Sequence, residues 1–179
     1  MKANRKVSWA VLTGAILVVH YQLPSRLVAD NRTVATEWSA QVDKVVPGNV
    51  NIEPAFRVAI YENLLEELAK SGRFQQVLRS GDSRANDIPK LLIVKTTVEA
   101  FTPGSEARRA VTTVTGATKL KVRTQFCTRE NQVVFERVVD GDVRFFGSNL
   151  RATYNLAHHL ANAVKQAKLS DPASLATKN

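Results

Sequence analysis

The stretch "KLLIVKTTVEAFTPG", Lys90 to Gly104, decides how the rest of the chain is read. Leu92, Val94, Thr96, Val98 and Ala100 alternate with Lys95, Thr97 and Glu99, the period of two that marks a strand with one buried and one polar face. The run stops at Thr102-Pro103-Gly104, where proline restricts φ and glycine frees it, so the chain turns out of a sheet there. Arg108 and Arg109 follow as a charged exit from that turn.

Downstream, "ATKLKVRTQFC" repeats the pattern, with Leu120, Val122, Thr124 and Phe126 on one face and Lys119, Lys121, Arg123 and Gln125 on the other. A reverse turn at "TRENQ" leads into "VVFERVVDG", so the two runs form an antiparallel hairpin, and "DVRFFGSN" adds a brief strand. Upstream the period changes. In "EPAFRVAIYENLLEELAKSGRF", Phe56, Ile60, Leu64 and Leu68, with Ala59 and Leu65, recur at three and four residues, while Glu62, Glu66, Glu67 and Lys70 fall on the polar side. Pro54 opens this amphipathic helix and Gly72 closes it.

A short strand in "RFQQVLRSGD" and a loop at "SRANDIP" separate that helix from the central strand, and "TVATEWSAQVDKVV" holds one earlier strand. The closing helix, "NLRATYNLAHHLANAVKQAKL", carries a stripe of Leu150, Tyr154, Ala157, Ala161 and Val164, with Leu160 beside it. The expected fold is therefore α+β: a mostly antiparallel sheet of about four to five strands with two amphipathic helices packed on one face. The expected organisation is a signal peptide or signal anchor over 1–23, a linker over 24–51, the α+β domain over 52–169 and a disordered tail over 170–179.

The chain has 179 residues, 44% hydrophobic and 23% charged, enough for one packed domain with terminal extensions. A formal net charge of +9 points to a polyanionic neighbour, or to a basic surface with no dedicated partner. Cys127 is the single cysteine, so neither an intramolecular disulfide nor a thiolate metal cluster is available. The amino terminus sets Lys2, Arg5 and Lys6 before an apolar run from Val7 to Val19, the order of an export signal. Without an A-x-A-like site directly after the run, a cleaved signal and an uncleaved anchor both stand, beside the bland reading of a buried amino-terminal helix.

His158 and His159 are adjacent, and adjacent helical residues diverge by about a hundred degrees, so they cannot clasp one metal. Glu66-Glu67 reads as a solvated face rather than an acid-base pair. The sequence contains no phosphate loop, no GxGxxG and no nucleophile elbow, and no cofactor or metal is expected. The candidate surface for an anionic partner is the row Lys119, Lys121 and Arg123, continuing onto Arg137 and reaching toward Arg108, Arg109 and Arg144. That face carries no aromatics for base stacking, which argues against nucleic acid.

From Pro54 to Lys168 the chain resembles the bacterial envelope proteins grouped as domain of unknown function family 4410. The resemblance rests on "FQQVL" after a helix ending in glycine, "LLIVKTTVEAFTPGSEARR", "TKLKVRTQF", "VVFERVVDG" and the Ala-rich closing helix. It is strongest at Phe101-x-Pro103-Gly104 followed by Ala107-Arg108. The family's glycine-rich stretch is reduced here to Thr115-Gly116-Ala117, and no cysteine follows the apolar run for lipid attachment. The resemblance implies a small exported α/β domain of the envelope and no reaction. The expected function is a non-enzymatic binding or accessory module, in the periplasm or anchored in the membrane, whose partner is an anionic envelope component or another envelope protein. The alternatives are a small hydrolase or transferase with a site scattered through the fold, favoured if a pocket brings His158 or His159 near a carboxylate and a hydroxyl, and a basic nucleic-acid-binding protein.

Overall fold

The computed structural model describes residues 37–111, 116–144 and 148–169, with every side chain in them except that of Arg109. The expected signal over 1–23 and the tail over 170–179 lie outside the described residues. Five strands form one sheet: β1 (Ser39–Val42), β2 (Val77–Arg79), β3 (Leu91–Thr102), β4 (Thr118–Cys127) and β5 (Val133–Val143). Their order is β2-β1-β3-β4-β5. The long ladders β3/β4 and β4/β5 are antiparallel, and the short β1 runs parallel to both of its neighbours. The fold is α+β with a mostly antiparallel sheet, as the two alternating runs require. The strand expected in "TVATEWSAQVDKVV" lies inside the sheet, where Trp38, Ala40, Val42 and Val45 are buried.

Two long helices, α1 (Pro54–Lys70) and α3 (Arg151–Gln166), cover one face, and a short α2 (Glu106–Val111) follows the Pro103-Gly104 turn. The covered face collects Ala40 and Val42 from β1, Leu92, Val94 and Val98 from β3, Leu120, Val122 and Phe126 from β4, and Val139 and Val143 from β5. The "TRENQ" turn closes the β4–β5 hairpin with Asn131 at φ 63° and a bond from Thr128 N–H to the Gln132 carbonyl.

Helix α1 buries Phe56, Ile60, Leu64, Leu65 and Leu68 and ends at Ser71, with Gly72 at φ 66° beyond it. That left-handed conformation is the one glycine supplies without a Cβ penalty. The stripe of α3 is buried at Ala157, Leu160, Ala161 and Val164, as expected, and departs from expectation at its start. Ala152, Thr153, Leu156, Ala157, Leu160, Ala161 and Val164 are buried, whereas Leu150 and Tyr154 are 41% and 43% exposed. Gly141 on β5 admits the helix closely at Ala152 and Leu156. A Cβ at Gly141 would lie 2.1 Å from the Ala152 carbonyl oxygen.

A second correction falls in the strand that decides the fold. A bulge between Val98 and Ala100 shifts the register, so Ala100 pairs with Lys121 and Phe101 pairs with Leu120. An extra residue in one strand reverses the facing of everything after it. Ala100 is therefore exposed, and Phe101 turns inward with its ring centroid 4.7 Å from that of Phe56.

The opposite face is not wholly polar. The segment "SRANDIP", expected as a loop, contains a 3-10 turn, Ser83–Asp87, capped by the Asp82 carboxylate on Arg84 N–H. It packs Ala85 and Ile88 over Leu78 and Leu91. The guanidinium of Arg129, at the β4–β5 turn, donates to the carbonyls of Ala85 and Ile88. Arg129→Ala leaves these carbonyls without their donor and is expected to cost about 1–2 kcal/mol, read from urea unfolding.

Candidate functional site

The register places Lys119, Lys121 and Arg123 on the uncovered face of β4, as their alternation requires. It also gives them acidic neighbours. Asp142 stands opposite Lys119, Asp140 opposite Lys121, and Glu136 opposite Gln125. Arg123 donates to Glu99 from β3 and to Glu136 from β5, each at 2.6 Å. The Glu99 bond is the main reason the guanidinium holds its proton more firmly than usual. The Gln125 amide, with Arg123 beside it, holds the Glu136 carboxyl below its ordinary range. Arg123 is thus the centre of a charge cluster rather than a free cation. Both carboxylates lie at a solvated surface, so Arg123→Ala is expected to cost less than about 1 kcal/mol in thermal unfolding.

Arg137 does not share the face of the row, although it lines the same groove as Lys119 and Lys121. It pairs with Thr124, whose side chain is fully buried on the helix-covered face, so Arg137 projects from the other side of the sheet. Arg144 is bound to Asp142 at 2.5 Å. Lys119 and Lys121 are exposed and make no ion pair among the described residues. They line an open groove of about 660 Å³ together with Asp140, Asp142, Arg144 and His159. Arg108 lies on α2, exposed, its N–H on Ser105 Oγ at 3.3 Å; of Arg109 only the backbone is described. The amino end of α2 is tied to that of α3, where Glu106 accepts from Asn149 N–H and Gly104 accepts from the Asn149 amide.

The histidines diverge as the helical geometry demands. His159 Nδ1 lies 2.9 Å from the Asp140 carbonyl, and one turn earlier Asn155 donates to the Asp142 carbonyl at 2.8 Å. Both side chains satisfy acceptors of the edge strand β5. His158 faces α1 instead, with Nδ1 2.9 Å from Glu67 Oε2.

Helical periodicity puts Glu67 on a solvated face, yet its side chain is only 6% exposed. It is held by Lys70 Nζ at 3.2 Å within α1 and by His158, whose contact links α1 to α3 through a carboxylate beside the shared apolar core. The sequence signal is weak, because Glu67 lies one position before Leu68 at the margin of the apolar stripe. Burial raises the Glu67 pKa, but the hydrogen bonds from His158 and Lys70 outweigh it and hold the carboxyl below 4.5. A carboxyl depressed on folding stabilises fully above its unfolded pKa, and that contribution is lost as pH falls through the folded value. Glu67→Gln is therefore expected to cost about 1 kcal/mol at neutral pH. The gap in melting temperature between the variant and the parent closes as the pH is taken below 4.5. The recess beside Glu67 and His158 also contains Ser71 and Tyr154. Ser71 Oγ donates to the Leu68 carbonyl at 2.6 Å, closing the helix end, and the Tyr154 ring stacks on the imidazole at 6.1 Å. The arrangement supplies a carboxylate-oriented imidazole with no hydroxyl hydrogen-bonded to it among the described residues.

The long antiparallel ladders, the single parallel insertion at β1 and the paired helices on one face have solved counterparts. The chain has a PelC-like fold. It superposes on the PelC dodecamer from Paraburkholderia phytofirmans with a TM-score of 0.56 at 10% identity, covering 74% of this chain and 89% of that one. A dodecamer of a single-substitution PelC variant from the same organism gives 0.55 at 13% identity, with the same coverage. A hypothetical protein from Chlamydia trachomatis gives 0.43 at 10% identity over 71% of this chain and 92% of that one. No family model matches the sequence, and no curated protein matches it. Among the described residues no helix is long and apolar enough to cross a membrane.

Proposed function

We propose that this chain is an exported module of the bacterial envelope, brought to the membrane by residues 1 to about 23, that acts by binding and self-association rather than by catalysis. The observation that carries the reading is the PelC-like fold, whose solved examples are described as dodecamers. The amino terminus supports it. Residues 1–36 hold Lys2, Arg5, Lys6, Arg26 and Arg32 against the single acid Asp30, so nearly half of the net +9 lies there. The three cations ahead of the apolar run suit the inner side of an energised membrane. A relation to domain of unknown function family 4410 fits the same compartment.

The partner-facing surface is the groove beside Lys119 and Lys121, the cations of the row that are not already neutralised. Its ligand is an anionic envelope component or an acidic patch on another envelope protein. In a pull-down of envelope fractions, Lys119→Gln with Lys121→Gln is expected to reduce association at least about tenfold, a loss on the order of 1.4 kcal/mol. Arg123→Gln alone leaves association nearly unchanged. Unchanged association by the double variant rules out this surface.

A further inference from the structure

We infer that His159 makes the anion affinity of the groove beside Lys119 and Lys121 depend on pH, by adding a cation there when its imidazole takes up a second proton. The inference rests on the reading of that groove as the anion-binding surface. It extends that reading to the titratable side chain that α3 contributes to the groove.

The tautomer is set by a backbone contact. His159 Nδ1 lies 2.9 Å from the Asp140 carbonyl oxygen, which can only accept, so Nδ1 carries the proton of the neutral ring. Nε2 is then the atom that titrates, and among the described residues it has no hydrogen-bond partner. Because Nδ1–H donates to the same carbonyl in both states, the ring stays at the edge of β5 whether or not Nε2 is protonated. Protonation therefore changes the charge of the groove without moving its wall. The imidazole is exposed where it lines the groove, open to a ligand held there. His158 is a built-in comparison: it faces Glu67 in the recess between α1 and α3 and does not line this groove.

The neighbouring charges decide whether one more cation matters. Strand β4 brings Lys119 and Lys121 to the groove, and β5 brings Arg137, Arg144, Asp140 and Asp142. Arg144 and Asp142 are bound to each other. Lys119, Lys121 and Arg137 against Asp140 leave two net positive charges, and protonated His159 makes them three. A bound anion gains from the third charge about what an exposed ion pair is worth, roughly three- to fivefold in affinity.

The test is calorimetric titration of the full chain, in phosphatidylcholine nanodiscs, with sucrose octasulfate. The charge of that polyanion is constant between about pH 5.5 and about pH 8, the span over which histidine changes its own. The parent is expected to bind about three- to fivefold more tightly at the lower pH. His159→Gln keeps a donor for the Asp140 carbonyl but never a charge, so it binds at both pH values as the parent does at the higher one. His159→Arg carries the charge throughout and binds at both as the parent does at the lower one, while His158→Gln keeps the parent's dependence. Thermal melts check that each variant is folded, and His159→Arg decides the matter if His159→Gln is not. By reciprocity, octasulfate moves the titration of the His159 Cε1–H resonance in the parent to higher pH. A pH dependence kept in His159→Gln, or lost in His158→Gln, overturns the inference and leaves the groove assignment standing. Absence of saturable binding, or equal binding by the parent and by Lys119→Gln with Lys121→Gln at both pH values, overturns the groove assignment and the inference with it.

Discussion

Gly141→Ala lowers the unfolding free energy by about 3 kcal/mol, because the added methyl has nowhere to go. Its Cβ would stand 2.1 Å from the Ala152 carbonyl oxygen, 2.7 Å from Leu156 Cβ and 3.0 Å from Leu156 N. Two of these neighbours are backbone atoms of α3, so no rotamer change relieves the overlap and the helix must lift from β5. Lifting it loosens Leu156 and Leu160, both fully buried, and strains the bonds from Asn155 and His159 to the β5 carbonyls. The expected fall in melting temperature is about 6–12 °C for a domain of this size. Gly72→Ala is the matched control. Its φ is 66° but nothing lies within 4 Å of the added Cβ, so only the backbone preference is lost, about 1–2 kcal/mol. Equal losses at the two sites contradict the close α3–β5 approach.

Phe126→Ala is the other large loss, about 3–5 kcal/mol in urea unfolding. The side chain is fully buried on the helix-covered face of β4. Its ring stacks on Phe74 at 6.0 Å and tilts against Phe135 at 5.6 Å, joining the α1–β2 connection to the β4–β5 hairpin. Truncation removes both ring contacts and leaves a cavity that rigid strands cannot close. Phe126→Leu restores most of the volume and is expected to recover more than half of the loss. A loss below about 1 kcal/mol in Phe126→Ala means that these three rings do not form the core assigned to them.

The fold was legible where one face of an element is buried and the other wet. The alternation of β3 and β4 survives from sequence to structure because every second residue meets the helices. It fails at Ala100, since a bulge leaves no mark in a run where alanine and phenylalanine are adjacent. On α3 the stripe held at Ala157, Leu160, Ala161 and Val164 and failed only at Leu150 and Tyr154. Leu150 is the N-cap, before the helical spacing begins, and Tyr154 lies part-exposed with its ring stacked on His158.

The site was legible in part. Alternation places Lys119, Lys121 and Arg123 on one face, but cross-strand partners from β3 and β5 are fixed by register, which no local pattern encodes. The neutralisation of Arg123, the opposite facing of Arg137 and the Glu67–His158 link all arise that way, from residues 13 to 91 positions apart in the chain.

Export of this chain to the envelope, as proposed, is checked by fractionating cells that express the full chain with a carboxyl-terminal tag. Two readouts are needed: the mature amino terminus, and protease access to the tag in spheroplasts. The account predicts a tag in the envelope fraction that external protease removes while the inner membrane is intact, whether or not the first 23 residues have been cut away. A tag recovered in the soluble cytoplasm, intact amino terminus and all, and protected until the cells are lysed, would contradict it.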